Sequence, residues 1–190
     1  MTELEEWLDM FLAVGRQIGI HMMEPLGYLP WGILAGAVFL VLEKAWHKGQ
    51  EADGGFVGRG QSWTRFVAVV YTAVLINLTY LSREPGSRIG ISLELFQTWG
   101  DSVVDHSYFI ENIILFIPFG ILFPMVFPIL RKGWSCILTG FLFSVMLEFT
   151  QLITGRGFCQ LDDVMTNTVG AGIGWGCYRL LQCRKKRRGI

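Results

Sequence analysis

Apolar residues in this chain fall into long unbroken blocks, with polar residues gathered in the gaps between them. The blocks at 28–46, 64–81, 108–130, 134–153 and 164–181 are each long enough to cross a bilayer as a helix. In lipid, backbone groups must be satisfied inside a helix or a closed barrel. Barrel strands alternate apolar and polar residues, and these blocks do not. The pattern therefore predicts an all-α fold, a polytopic transmembrane helix bundle of about five spans. Residues 4–23 precede it as an amphipathic stretch, acidic at its start, which predicts a helix in the membrane interface or a marginal span.

The gaps differ in kind. Residues 47–62 hold Gly54, Gly55, Gly58 and Gly60 without the Lys-Ser/Thr of a phosphate loop, and read as a flexible linker. The gap at 82–107 is longer. Its stretch 91–99 mixes Leu93, Leu95, Phe96 and Trp99 with Glu94 and Gln97, which predicts a short interfacial helix with its tryptophan at headgroup depth. Pro118, Pro124 and Pro128 predict kinks in the third span. In the fifth, Gly170, Gly172, Gly174 and Gly176 form two overlapping GxxxG pairs, a spacing that lets helices approach closely. The chain thus divides into an N-terminal helix (1–23), a first span with its Gly-rich loop (24–63), a membrane domain (64–182) and a basic tail (183–190).

Composition agrees: 52% of the 190 residues are hydrophobic and 17% charged, below the quarter or so usual in soluble domains. The formal charge is zero, but its placement is uneven. Lys44, Lys48, Arg59, Arg65, Arg131, Lys132 and the run Arg184, Lys185, Lys186, Arg187 and Arg188 fall on one side of the membrane, with Arg83, Arg88 and Arg156 on the other. Cytoplasmic loops are the basic ones, so the C-terminus is expected in the cytoplasm and the loops at 82–107 and 154–163 outside. The acidic N-terminus does not have the form of a cleaved signal. The four cysteines, Cys136, Cys159, Cys177 and Cys183, show no zinc-like spacing.

Candidate chemistry collects at the outer ends of the spans. Glu148 and Gln151 share a helix face in the fourth span, and a carboxyl within a span marks a functional site by default because of its cost in lipid. Arg156 follows as a possible partner for Glu148. Asp162 and Asp163 precede the fifth span, which carries Asn167; Glu111 and Asn112 lie at similar depth in the third, and Arg83 and Arg88 follow the second. Bland readings stand beside these: an aspartate as helix cap, the asparagines as interhelical hydrogen bonds, Glu148 and Arg156 as a structural ion pair, and the arginines as contacts to lipid phosphate.

The stretch from Asn112 to Gly120 (NIILFIPFG), Glu148-Phe-Thr-Gln151, Gly155-Arg156-Gly157, Leu161-Asp162-Asp163-Val164, Asn167-Thr168 and Gly170-Ala171-x-x-Gly174 together resemble the signature of the VanZ family, over about residues 64–175. Arg83 and the 88–99 segment fit its outer loop. Many relatives carry Phe-Asp ahead of the paired aspartates; here Phe158-Cys159-Gln160 stands there, one acidic group fewer. The resemblance implies an integral protein of the plasma membrane similar to one that gives low-level resistance to the glycopeptide teicoplanin, a family without an established biochemical activity.

Two expectations follow. In one, the outer cluster binds a lipid-linked cell-wall precursor or a glycopeptide, with Arg83, Arg88, Asn112, Gln151, Arg156 and Asn167 as contacts. In the other, the chain is a hydrolase or transferase on a phosphorylated lipid, with Glu148, Asp162 and Asp163 as acid and base or the carboxylates holding a divalent cation on pyrophosphate. No G-x-S-x-G nucleophile motif occurs. Membrane lipids are expected partners and nucleic acid is not; the sequence leaves metal, cofactor and oligomeric state open.

Overall fold

The computed structural model describes residues 3–48, 59–86, 88–96, 99 and 102–187. Most of the Gly-rich linker, 49–58, lies outside the described residues, as does the end of the tail, 188–190. The fold is an all-α bundle: α1 (Glu3–His21), α2 (Glu24–Gly27), α3 (Leu29–Lys48), α4 (Arg59–Ile76, continued by a π turn at Asn77–Leu81), α5 (Val103–Val126), α6 (Gly133–Thr154) and α7 (Leu161–Arg187). Among the described residues four segments are long and apolar enough to cross a membrane: Leu29–Trp46, Gln61–Leu81, Val103–Val126 and Gly133–Thr154.

The fifth expected span falls in α7, which is not among those four. Its 27 residues suffice in length, roughly 40 Å at 1.5 Å per residue. Its average apolarity is lowered by the charges at its two ends, Asp162 and Asp163 in the first turn and Arg184, Lys185, Lys186 and Arg187 in the last. Met165, Val169 and Ile173 are exposed, while Thr166, Asn167, Gly170, Ala171 and Gly174 are buried. The buried face packs against α5 and α6. A Cβ at Gly170 would run into the Ile113 carbonyl oxygen, and one at Gly174 into that of Ile117; facing them, a Cβ at Gly120 would strike the Ala171 carbonyl. One of the two GxxxG pairs therefore makes the interface. Gly172 has only ordinary contacts and Gly176 open space.

Around this α5–α7 seam sits the apolar core of Leu75, Phe116, Phe119, Leu147 and Ala171. Pro118 and Pro124 lie inside α5, whereas Pro128 opens a short 3-10 turn (Pro128–Arg131) after the helix has ended. A residue before proline is driven toward extended backbone, and Phe127 is extended. The helix α1 lays Val14 and the half-buried Met10, Gln17 and His21 along one side, at the spacing of a single helix face, and packs on α5.

Two short strands were not anticipated. β1 (Arg88–Ser92) pairs in parallel with β2 (Arg156–Gln160), Arg88 opposite Arg156 and Ser92 opposite Gln160. The stretch 91–99 expected to be helical instead continues a strand and turns at Leu95 and Phe96, with Gln97 and Thr98 outside the described residues. β-Branched Ile89 and Ile91 favour extended backbone, and Gly90 leaves room for the Phe158 ring of the partner strand.

Candidate functional site

The helix ends nearest β1 and β2 enclose a cleft of about 740 Å³. Arg83, Asn112, Arg156, Phe158, Gln160 and Asp163 line it from the bundle, and His21, Glu24, Tyr28, Tyr108 and Glu111 line it from the side where α1 packs on α5 and leads into α2. Of the nine candidate residues, four reach this space: Arg83, Asn112, Arg156 and Asp163. Glu148, Gln151, Asp162 and Asn167 are buried and absent from its lining. The Arg88 side chain lies outside the described residues.

The anticipated pairing of Glu148 with Arg156 does not form. Glu148 Oε2 accepts the backbone N–H of Gln160 at 3.0 Å, tying α6 to β2. Arg156 turns the other way. Its Nη1 donates to the carbonyls of Tyr80 (3.2 Å), Leu81 (3.2 Å) and Arg83 (2.9 Å), and its guanidinium lies 4.8 Å from the centre of the Tyr80 ring. Those carbonyls stand at the C-terminal end of the α4 segment, where unpaired acceptors and the helix dipole favour a cation. Arg156 is thus a clamp on the loop that carries Arg83.

The two aspartates diverge as well. Asp162 Oδ1 accepts the Phe96 N–H at 2.7 Å. Asp163 Oδ1 accepts Asn112 Nδ2 at 2.8 Å, joining α7 to α5 at the cleft wall. Burial is the main force pushing the Asp163 carboxyl up to about 6; the Arg83 guanidinium opposes it, Asp162 adds to it and the Asn112 hydrogen bond opposes it. Asn167 donates to Ser144 Oγ at 2.8 Å, an interhelical bond between α7 and α6. Among the described residues no group of three or more His, Cys, Asp or Glu side chains is arranged to hold a metal ion.

Gly157, on β2, packs closely against two of the candidate side chains. A Cβ there would stand 2.7 Å from Arg83 Nη1 and 3.0 Å from Gln151 Oε1. Gln151 donates through Nε2 to the Thr79 carbonyl at 2.7 Å, but its Oε1 is buried with no hydrogen-bond partner. Cys159, on β2, has its thiol pushed up by burial and then by the nearby Glu148 and Asp163 charges, which disfavours the nucleophilic thiolate.

The wall formed by α1 and α2 went unread in the sequence. Gln17 Nε2 lies 2.8 Å from His21 Nε2, and His21 Nδ1 lies 2.8 Å from Glu111 Oε1. The His21 ring stacks on Tyr108 with centroids 5.3 Å apart. The available signal was the shared helix face of Val14, Gln17 and His21, a polar end to an otherwise apolar stripe.

A family model described as VanZ/LLP1 matches residues 64–182, which begin within α4 and take in β1, α5, α6, β2 and most of α7. No curated protein and no solved structure matches the chain. The helices α1 and α2, which complete the cleft, stand outside the matched residues.

Proposed function

The chain belongs to the VanZ/LLP1 family of membrane proteins, and from that premise we propose that it contributes to teicoplanin-type glycopeptide resistance by holding a lipid-linked precursor or a lipoglycopeptide at the outer leaflet of the plasma membrane. The observation that carries this reading is the cleft of about 740 Å³, with Arg83, Asn112 and Asp163 in its wall at one end of the bundle. The opposite end carries Arg131, Lys132 and the basic run of the tail. By the charge bias of membrane proteins that basic end is cytoplasmic, and the cleft then opens outside. Its location at the ends of apolar spans suits a ligand with a polar head and a lipid tail.

One observation favours a catalytic alternative. A carboxyl whose protonation midpoint lies at about 6, as at Asp163, is suited to exchanging a proton near neutrality. In that reading the chain is a hydrolase or transferase on a phosphorylated lipid, with Asp163 as acid or base and Arg83 on the phosphate.

The test has two arms. With the native cysteines replaced, a cysteine at Glu84 should react with an impermeant thiol reagent in intact cells, and one at Gly54 should not; the reverse would overturn the orientation. Mass spectrometry of the purified protein should then find a bound lipid-linked species or added teicoplanin, lost in Arg83→Ala. Release of a modified lipid by wild type, absent in Asp163→Asn, would favour the catalytic alternative.

A further inference from the structure

The cleft is richer in acceptors than the three outer arginines suggested. Among the described residues five carboxyl side chains line it: Glu24, Glu84, Asp105, Glu111 and Asp163. Facing them are Arg83, Arg156 and His21. Arg156 spends Nη1 on three backbone carbonyls and lies against the Tyr80 ring. His21 directs both ring nitrogens to protein partners, Gln17 and Glu111. Arg156 keeps a buried Nε without an acceptor, and Arg83 is, among the described residues, the cation in the lining that no side-chain hydrogen bond engages. Beside it, the buried Gln151 Oε1 is an acceptor without a donor.

Anions are repelled by such a lining except at Arg83, and a donor-bearing cation is drawn in. Aromatic rings strengthen the preference: Tyr28 and the exposed Tyr108 line the same space as Glu24, Asp105 and Glu111, and a ring face attracts an ammonium. Resting on the reading of the cleft as an outer-leaflet ligand site, we propose that its ligand carries a primary ammonium, received by Glu24, Asp105, Tyr28 and Tyr108, together with a phosphodiester received by Arg83. That chemistry is the headgroup of an aminophospholipid. A phosphodiester alone would satisfy Arg83 and leave the carboxylates facing like charge. Because Glu24 and Tyr28 lie outside the residues shared with the family model, the ammonium preference belongs in part to the N-terminal helices of this chain.

The purified full chain in a non-ionic detergent would be titrated calorimetrically with dihexanoyl phosphatidylethanolamine, its N-acetyl derivative, dihexanoyl phosphatidylglycerol and O-phosphoethanolamine. The ethanolamine lipid should bind at least about tenfold more tightly than its N-acetyl form, the scale of one or two charge-assisted hydrogen bonds. The exposed Glu24 can be changed without disturbing the core; Glu24→Gln should narrow that gap severalfold and Glu24→Asp should largely restore it. Equal or tighter binding of the N-acetyl lipid or of phosphatidylglycerol would overturn the ammonium site while leaving an outer-leaflet ligand site standing. Binding of O-phosphoethanolamine as tight as that of the lipid would overturn the lipid as its source. Binding of none of the four would remove the aminophospholipid, and failure to bind lipid-linked precursor or teicoplanin as well would remove the ligand-site reading beneath it.

Discussion

Asp162 and Phe96 are 66 residues apart in the chain and are joined by a 2.7 Å hydrogen bond from the Phe96 N–H to the Asp162 carboxylate. Phe96 sits at φ 63°, a left-handed backbone that a bulky side chain rarely adopts. The buried Asp162, in the first turn of α7, therefore fixes a strained turn in the segment after β1. Strain of this kind costs on the order of 1–3 kcal/mol and persists where surrounding contacts enforce it.

Removing that acceptor should loosen the turn. Asp162→Ala is expected to cost about 1–3 kcal/mol through the unpaired Phe96 amide and to speed hydrogen exchange at residues 92–96. Asp162→Asn keeps an oxygen in place and should lose less. Unchanged exchange in Asp162→Ala would show that the Phe109 ring, 6.4 Å from that of Phe96, holds the turn by itself.

Arg156 and Glu148 should respond to substitution independently, since they do not touch. Arg156→Lys removes the guanidinium plane from the Tyr80 ring and shortens the side chain whose single Nη1 reaches three carbonyls. It should lower stability by about 1–3 kcal/mol, read as a fall in melting temperature and membrane abundance. Glu148→Gln retains an acceptor for the Gln160 N–H and should leave both nearly intact. If Glu148 also serves the site through its charge, the proposed ligand binding per folded molecule will fall in that variant.

Asp163 sets a pH dependence. Its carboxyl titrates at about 6 in the fold, against 3.8 without the fold, so the folded state holds the extra proton between those values. Stability from this group is therefore present at low pH and lost as pH rises from about 4 through 6. Asp163→Asn keeps the acceptor for Asn112 and removes the charge. It should raise stability by about 1–3 kcal/mol above pH 7 and change little below pH 4, measured as melting temperature against pH. A melting curve for Asp163→Asn parallel to that of the wild type from pH 4 to 8 would contradict the assignment.

The α5–α7 seam gives a contrast within one helix. Gly174→Ala places a methyl group against the Ile117 carbonyl and Gly120, both backbone, and should cost about 2–3 kcal/mol by forcing the helices apart. Gly176→Ala meets nothing within 4 Å and should be neutral. The two variants, compared by thermal melting and membrane abundance, separate packing from mere loss of glycine.

Much of the bundle was legible because lipid imposes its rule locally: a block such as 134–153 announces α6 by length and apolarity alone. The apolarity of α7 was harder to weigh, since its glycines serve another helix. The site was legible as a neighbourhood. Asn112 and Asp163 do meet, but the direction each side chain takes depends on backbone groups that no spacing reveals. Arg156 found carbonyls at the end of α4, and Glu148 found the amide of Gln160. The β1–β2 pair escaped notice for the same reason, as did the His21 wall: each needs two segments far apart in the chain, and neither segment alone states its partner.

The parallel pairing of β1 with β2 also orders events during synthesis. Antiparallel neighbours can close on a tight turn, but parallel ones require an intervening crossover, and here that crossover contains α5 and α6. As the ribosome delivers the chain, the segment at 88–92 emerges with no strand to join. It acquires one only after α6 has been threaded into the bilayer and residues 156–160 have followed. Asp162, which fastens the turn at Phe96, arrives two residues later still. Any nascent chain stalled before that point would hold inserted helices whose β1–β2 end is still unfinished, so this end of the molecule waits on segments delivered late in synthesis.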